Sequence, residues 1–231
     1  MAEGFHLVEE ALRSGRPIRR LLVAASAVSR LEEHIRRPER PPLTVVADRL
    51  FEQIASTQTT QGVIALVEPA QWRAEDLFRG CPLIVVLDGI QDPGNAGAIL
   101  RAAEAFRATG ALLLKGTAGA AHPKTLRAAA GSSFRLPWLE EVGVPEARAL
   151  LAERGLILYA ADARAETSLE EADFRPPCAI VFGSEGRGVR PELASQARGV
   201  KIPTSGVESL NVAIAAGIVL YEAHRQRHGK P

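Results

Sequence analysis

Cysteine is scarce in this sequence of 231 residues, which contains only Cys81 and Cys178. The two do not form a C-x-x-C pair, so the sequence predicts neither a disulfide framework nor a zinc site held by thiolates. We expect no metal site. A chain that needs no oxidising environment fits a reducing compartment, and we therefore expect the protein in the cytoplasm.

Long apolar runs are missing as well. No run approaches the ~20 residues that a membrane-spanning helix requires, and no apolar signal segment opens the chain, so we expect no membrane partner. The content of 46% apolar and 24% charged residues is typical of a soluble globular protein.

Lysine supplies only four of the 28 basic residues, and arginine supplies the rest. Arginine binds phosphate through two parallel hydrogen bonds, which lysine cannot do. A GC-rich genome produces the same bias without a functional cause, and the net charge of +1 indicates no partner by itself.

The first part of the chain, residues 1–69, mixes helical and strand patterns and predicts a small α/β domain. Its expected elements are a helix at His6–Gly15, strands at Ile18–Ser26, Leu43–Asp48 and Val63–Val67, and a helix at Arg49–Ala55. Because no strand or cap is recognisable before the first helix, we expect that an N-terminal extension is missing from this sequence. Residues 70–82 are interpreted as a linker.

From residue 83 to residue 231, strands and helices alternate regularly. The apolar segment Leu83–Asp88 is typical of a strand that is buried on both faces, and similar segments follow at 111–115, 156–160 and 178–182. The longest predicted helix closes the chain. This alternation indicates an α/β fold in which helices cover both faces of a parallel sheet.

Three polar segments with glycines follow predicted strands, which is where open parallel sheets bind their ligands. The first, DPGNAGAILRAAEAFRATG, contains Asn95, which is placed to cap the next helix, and Arg101 in the first turns of that helix. A plain connection with a surface arginine explains this segment equally well. Asn95 is the stronger functional candidate, because a glycine two residues later allows a close approach of the backbone.

The second segment, FGSEGRG at Phe182–Gly188, has three glycines that allow positive φ and let backbone N–H groups face a ligand. Glu185 at its centre would repel phosphate. The carboxylate instead suits a ligand with hydroxyl groups, a positive charge or a partner arginine. The loop also comes too late in the chain, with the wrong glycine order, for a dinucleotide-binding fold.

The third segment, IPTSGVESLN, precedes the last helix. Glu208 or Ser209 is placed to cap that helix, which leaves Asn211 without a structural role. Small residues inside the helix allow a second element to pack closely, and packing within the chain explains them better than a dimer interface does.

In this order, the three segments resemble the signature motifs of the SpoU (TrmH-type) RNA 2'-O-ribose methyltransferase family, part of the SPOUT superfamily. The segments EGFHLVEEAL and STQTTQGVIALV look like the RNA substrate-binding domain of that family. The resemblance covers nearly the whole chain. It implies an L30e-like RNA substrate-binding domain at 1–69, a linker at 70–82 and a SPOUT methyltransferase domain at 83–231.

The resemblance implies a fold that few chains adopt, in which the C-terminal part of the parallel sheet domain is threaded through a loop into a deep trefoil knot. It implies that the loops of the second and third motifs enclose S-adenosylmethionine. It also implies a homodimer with the active site near its interface, and RNA, ribosomal or transfer, as the partner rather than DNA.

The site residues follow by matching positions within the motifs. The implied catalytic residues are Asn95, Arg101, Glu185, Ser209 and Asn211. The implied cofactor-binding residues are Gly183, Glu185, Gly186, Ile202, Leu210 and Asn211. Glu185 then faces a sulfonium cation instead of a phosphate. Thr204 stands where many family members have methionine, which affects only the details of the cofactor contacts.

The implied reaction transfers the sulfonium methyl group to a ribose 2'-hydroxyl. A guanidinium is not deprotonated in proteins, so we expect Arg101 to position the nucleophile and to stabilise the developing alkoxide. The other four catalytic residues are expected to hold Arg101 and the loops in place. The alternative is an RNA-binding protein that keeps the fold without methylation activity.

RNA contacts are expected on the N-terminal domain. Four arginines form a candidate basic cluster, and a polar run offers groups for base or sugar edges: Arg13, Arg16, Arg19 and Arg20, and residues 58–61. A solvated protein surface explains each of these arginines equally well. Ribosomal RNA is favoured over transfer RNA.

Overall fold

The computed structural model describes residues 1–34 and 41–229. Its N-terminal part is a mixed sheet with helices packed against it. Its elements are β1 (Ala2–Glu3), α1 (Phe5–Arg13), β2 (Ile18–Ala24), α2 (Val28–His34), β3 (Leu43–Val46), α3 (Asp48–Ile54) and β4 (Val63–Val67). The strands lie in the order β1-β4-β2-β3, and only β2 and β3 are parallel among the described residues. The elements predicted here are present. β1 and α2 were not predicted, and β1 is too short to show a pattern.

A short helix, α4 (Ala74–Leu77), lies in the predicted linker and leads to the C-terminal part. The remaining strands are β5 (Leu83–Asp88), β6 (Gly110–Leu114), β7 (Trp138–Val142), β8 (Ile157–Ala161), β9 (Cys178–Gly183) and β10 (Arg198–Val200). The remaining helices are α5 (Pro93–Ala105), α6 (Pro123–Ala129), α7 (Ser132–Arg135), α8 (Val144–Glu153), α9 (Pro191–Ala194) and α10 (Val212–His228).

The C-terminal sheet runs in the order β10-β8-β9-β5-β6-β7, and all of its described strand pairs are parallel. The predicted α/β class with a parallel sheet is therefore confirmed. β7 was not predicted, because two exposed glutamates, Glu140 and Glu141, interrupt its apolar pattern.

The central strand β5 shows why the sheet needs helices on both faces. Leu83, Val85 and Leu87 belong to one core together with residues of α5 and α10, whereas Ile84 and Val86 belong to a second core with residues of α8 and α9. All five side chains are fully buried. Each such burial stabilises the fold by ~1.5–3 kcal/mol relative to exposure, so a strand that is apolar throughout favours this layered arrangement.

The predicted linker is anchored to the sheet rather than running free. Leu77 of α4 is fully buried. A Cβ atom placed on Gly110 would lie only 2.4 Å from Leu77 Cγ, so the close approach of α4 to β6 requires glycine at this position. The linker therefore joins the two parts of the chain through a packed contact.

The helices α6 and α7 attach the C-terminal part to the N-terminal domain. Leu126 and Phe134 are buried in the core of the N-terminal domain. Beside them, Arg135 Nη1 pairs with Glu10 Oε2 at 2.6 Å, and Arg135 Nε pairs with Glu104 Oε1 at 2.5 Å. The hydrogen bonds from Arg135 to Glu104 and Glu10 raise the pKa of Arg135 above its ordinary value. An apolar contact and an ion-pair network thus hold the N-terminal domain at a defined position.

The predicted basic cluster of the N-terminal domain is largely occupied by contacts within the chain. Arg13 pairs with two glutamates of α1 and Arg19 with Glu68, while Arg20 donates to a threonine of β3. The guanidinium of Arg16 lies over the ring of Trp72, 4.3 Å from its centroid. The side chains of Arg13 and Arg19 nevertheless remain largely exposed, and exposed ion pairs are weak, so the RNA-binding role of these four arginines stays a prediction.

Within residues 1–34 and 41–229, no helix combines the length and the apolar character that crossing a membrane would require.

Candidate active site

The three motif loops meet at the carboxyl edge of the parallel sheet, where parallel strands bring their following loops together. Asn95, Glu185 and Asn211 come one from each loop and form a hydrogen-bonded group that we call the polar node. Asn211 Nδ2 donates to Glu185 Oε1 at 3.0 Å and to Asn95 Oδ1 at 3.2 Å. Asn95 Nδ2 donates to the same oxygen of Glu185 at 3.2 Å. The glutamate thus accepts hydrogen bonds from both amides.

Asn211, rather than Glu208 or Ser209, caps the last helix. Its Oδ1 accepts hydrogen bonds from the backbone N–H groups of Ala213 at 2.9 Å and Ile214 at 3.3 Å. The expected cap was wrong by two or three positions. Because the oxygen of Asn211 is held by α10 and its nitrogen faces Glu185, one side chain fixes the start of the helix and joins the polar node.

Asp92, not Asn95, caps α5. Asp92 Oδ1 accepts a hydrogen bond from the backbone N–H of Asn95 at 2.9 Å, and Pro93 occupies the first turn. This hydrogen bond, assisted by Lys124, lowers the pKa of Asp92. Asn95 therefore lies one turn further into the helix than expected, where its side chain is free to join the polar node.

The glycines of the second motif allow a tight turn. A Cβ atom on Gly183 would lie 2.1 Å from the carbonyl carbon of Gly188, which no side chain tolerates. The backbone N–H of Gly188 donates to Ser184 O at 2.8 Å, and Gly188 has φ of 66°. The chain thus turns back on itself and projects Glu185 toward the other two loops.

A cleft of about 680 Å³, which we call the larger cleft, opens between the second and third motif loops. All of the predicted cofactor-binding residues line it, as does Ser209: Gly183, Glu185, Gly186, Ile202, Leu210 and Asn211. The volume lies within the range of small-molecule binding sites. Apolar side chains, including Phe182 and Val200, line part of its walls.

The larger cleft also has a wall that the sequence analysis missed, the loop that follows β8. Asp162 and Arg164 lie there and line the cleft together with Arg187 and Glu208. A hydrogen bond from the backbone N–H of Arg164 lowers the pKa of Asp162. The rule that ligands bind beyond the carboxyl ends of parallel strands would have found this loop. Charges of both signs line the cleft, which suits a ligand that carries both.

Arg101 lies apart from the other predicted catalytic residues. It is exposed on α5 and lines neither the larger cleft nor the cleft beside it. Among the described residues it has no hydrogen-bond or ion-pair partner. The expectation that the other four residues hold Arg101 is therefore not met within a single chain: three of them hold one another instead.

Comparison with protein families gives two matches that together cover most of the chain. Residues 82–221 match the SpoU rRNA methylase family. Residues 1–73 match the family of RNA 2'-O ribose methyltransferase substrate-binding domains.

Individual relatives match over nearly the full length. An uncharacterised tRNA/rRNA methyltransferase of Synechocystis sp. is 37% identical over 98% of this chain and 84% of its own. The 23S rRNA (guanosine-2'-O-)-methyltransferase RlmB of Ralstonia nicotianae is 32% identical over 99% of this chain and 96% of its own. The crystal structure of the SpoU methyltransferase AviRb from Streptomyces viridochromogenes, in complex with AdoMet, superimposes with a TM-score of 0.87 at 28% identity, over 99% of this chain and 90% of that one.

Proposed function

The chain belongs to the SpoU rRNA methylase family, and from this premise we propose that it methylates the 2'-hydroxyl of one ribose in ribosomal RNA. The predictions of the family, of an RNA methyltransferase and of S-adenosylmethionine as cofactor are confirmed. The preference for ribosomal over transfer RNA is supported by the RlmB relative, whose name specifies 23S rRNA. The observation that carries the proposal is the meeting of three distant motif loops in the polar node beside a cleft of suitable size.

The larger cleft fits the cofactor. When bound, S-adenosylmethionine supplies a methyl group activated by a positively charged sulfur. Ile202 and Leu210 provide apolar surfaces for an adenine ring, and the backbone of the glycine-rich loop offers N–H and C=O groups for its edges. Glu185 attracts a cation, which is consistent with a ligand that has no phosphate.

The polar node is proposed to keep the site preorganised. Asn95 and Asn211 hold the carboxylate of Glu185 by two hydrogen bonds, and a third hydrogen bond joins the two asparagines. Groups that are already oriented cost no reorganisation when the reaction occurs. Ser209 lines the larger cleft beside Leu210 and is proposed to contact the cofactor or the ribose.

Arg101 is proposed to act in a homodimer. α10 exposes three apolar residues at helical spacing, Ile214, Ile218 and Tyr221, and Phe106 contacts Tyr221 edge-on with ring centroids 5.7 Å apart. An exposed apolar stripe of this kind is typical of an interface. α5 packs beside α10, so a second copy bound to the apolar stripe would lie near Arg101. The dimer interface would then bring Arg101 close to the active site of the second copy.

The dimer can be tested by placing a charge in the apolar stripe. Ile218→Asp is expected to convert a particle of twice the chain mass of 24.7 kDa into a monomer, because an unpaired carboxylate cannot be buried at low cost. Light scattering coupled to size exclusion measures the mass. Leu50→Asp, at an exposed leucine of the N-terminal domain, is the matched control. A wild-type protein that is monomeric at micromolar concentration would contradict the homodimer.

The division of the chain into functional regions is part of the proposal. Residues 1–69 would form the domain that binds the RNA substrate, and residues 83–231 would form the methyltransferase domain. Residues 70–82 would be the linker between these two domains. The trefoil knot in that domain stays a prediction.

The function is tested with labelled cofactor. The purified protein is incubated with methyl-labelled S-adenosylmethionine and total RNA, and the modified nucleotide is mapped by its resistance to alkaline cleavage. We expect one 2'-O-methylated position in ribosomal RNA. Label in transfer RNA alone would contradict the proposed substrate. RNA binding without any transfer of label would favour the alternative of an RNA-binding protein without activity.

A further inference from the structure

A second cleft, of about 450 Å³, lies on the other side of the loop that bounds the larger cleft. The two clefts share residues 184–188 and Val212 as a common wall. The remaining walls of the second cleft are the loop after β5, residues 88–92, and Lys115 and Gly116, which follow β6. Asn95 of the polar node also lines it. The polar node therefore lies in the partition between two clefts.

The carboxylates at the second cleft are already engaged. Asp88, with 1% of its side chain exposed, pairs with Arg190 and accepts the backbone N–H of the same residue at 2.7 Å. Asp92 pairs with Lys124 at 3.4 Å. Glu185 accepts hydrogen bonds from both amides of the polar node. The charges of Asp88 and Asp92 are thus balanced by ion pairs, whereas Glu185, which is held only by neutral amides, keeps its negative charge.

Two basic residues at the second cleft have no such engagement. The side chains of Lys115 and Arg187 are exposed, line the cleft and have no hydrogen-bond or ion-pair partner for their charged groups among the described residues. Two cations without an ion-pair partner stand against the single unpaired carboxylate of Glu185, so the cleft keeps an excess of positive charge. This excess favours an anionic ligand such as phosphate.

We propose that the second cleft binds the acceptor nucleotide of the RNA, with its flanking phosphates on Lys115 and Arg187 and its ribose against the wall shared with the larger cleft. This inference rests on the proposed function. Methyl transfer requires the hydroxyl to lie close to the donor and in line with it, and the shared wall is where the contents of the two clefts come nearest. The volume accommodates a single nucleotide turned out of its stack, as enzymes that modify nucleotides require.

Basic and polar residues continue from the second cleft to the N-terminal domain. Lys124, at the start of α6, reaches Asp92 on the rim of the cleft. Further along α6, Arg127 Nη1 donates to Ser56 Oγ at 2.8 Å. Ser56 begins the exposed polar loop that continues through Gln58 and Thr59. Basic and polar groups therefore follow one another from the cleft to the N-terminal domain, which suits an RNA strand running across both.

The decisive variant is Lys115→Gln, because Lys115 lines the second cleft and not the larger one. Binding of a fluorescent fragment of ribosomal RNA is measured by anisotropy at several salt concentrations, without cofactor. We expect a Kd about 5- to 10-fold higher and a salt dependence that is shallower by about one phosphate contact. Affinity for S-adenosylmethionine, measured by calorimetry, is expected to remain within twofold.

A second variant tests the cleft by volume instead of charge. Gln91 is exposed and lines only the second cleft, so Gln91→Trp is expected to fill it and to raise the KM for RNA without changing cofactor affinity. Arg107→Gln, which removes a charge just after the far end of α5, is the matched control and is expected to leave RNA affinity and the salt slope unchanged.

The outcomes separate this inference from the proposed function. If the wild type methylates RNA while Lys115→Gln and Gln91→Trp both bind RNA and cofactor as the wild type does, the acceptor nucleotide binds elsewhere and the inference is wrong. If the wild type transfers no methyl group to any RNA, the proposed function fails, whatever the variants bind.

Discussion

Replacing Arg101 by alanine is expected to lower kcat for methyl transfer by roughly 100- to 1,000-fold, the effect of removing one group that stabilises developing negative charge. Arg101 lies outside the larger cleft, so its loss is expected to leave the affinity for S-adenosylmethionine unchanged. Single-turnover transfer of labelled methyl groups to RNA measures the first quantity, and calorimetry measures the second.

Two controls separate catalysis from structure in this experiment. Arg107→Ala removes an exposed arginine just after the same helix and is expected to retain activity. Arg101→Lys keeps the positive charge but lacks the planar guanidinium with its paired N–H donors, so it is expected to retain only part of the wild-type rate of methyl transfer. Because Arg101 is proposed to lie near the dimer interface, the mass of each variant is measured as well. Turnover like that of the wild type in a dimeric Arg101→Ala protein would show that this arginine does not take part in the reaction.

Replacing Arg227 by alanine is expected to cause the largest loss of stability for a single side chain near the end of α10. Its guanidinium donates to the backbone oxygens of Phe174 at 2.6 Å, Cys81 at 3.0 Å, Pro82 at 3.1 Å and Pro176 at 2.6 Å. These residues directly precede the central strands β5 and β9. One side chain therefore links the last helix to the segments that lead into two central strands of the sheet.

The expected size of this effect follows from the number of acceptors left without a partner. Hydrogen bonds to charged groups contribute more than neutral ones, and the loss of several at a half-buried site is expected to cost ~2–4 kcal/mol. For a chain of this length that corresponds to a fall in Tm of roughly 5–12 °C, measured by calorimetry. The single ammonium group of a lysine cannot reach backbone oxygens that lie in different directions around the guanidinium. Arg227→Lys is therefore expected to lose nearly as much stability as Arg227→Ala.

The neighbouring Arg225 provides the matched control. It lies on the same helix two residues earlier and forms an exposed ion pair with Glu222 at 2.7 Å. Exposed ion pairs contribute at most ~1 kcal/mol, so Arg225→Ala is expected to change the Tm much less. Equal shifts for Arg225→Ala and Arg227→Ala would mean that the contacts to the strand starts do not stabilise the fold.

Local sequence patterns predicted individual elements well where the pattern was strong. The bounds of β4 and β5 agree with the prediction, because a continuous apolar run between polar residues permits few alternatives. The caps were predicted less well. Asp92 followed by Pro93 is a recognised start of a helix, but asparagine is as good a cap as aspartate, and the predicted cap was Asn95, three residues too late.

The sequence by itself determined the family, the α/β class, the cofactor and the set of motif residues, because motifs and periodicity are local properties of a chain. Only the tertiary structure decided which of those residues meet. Asn95 and Asn211 are 116 residues apart, and their contact depends on the order of strands in the parallel sheet, which the packing of the whole chain sets. The same packing placed Arg101 outside the larger cleft, engaged the N-terminal arginines in ion pairs and other contacts, and put the glycine-rich loop between two clefts. These relations join residues that no local pattern connects, since they arise from burial and charge pairing among distant segments.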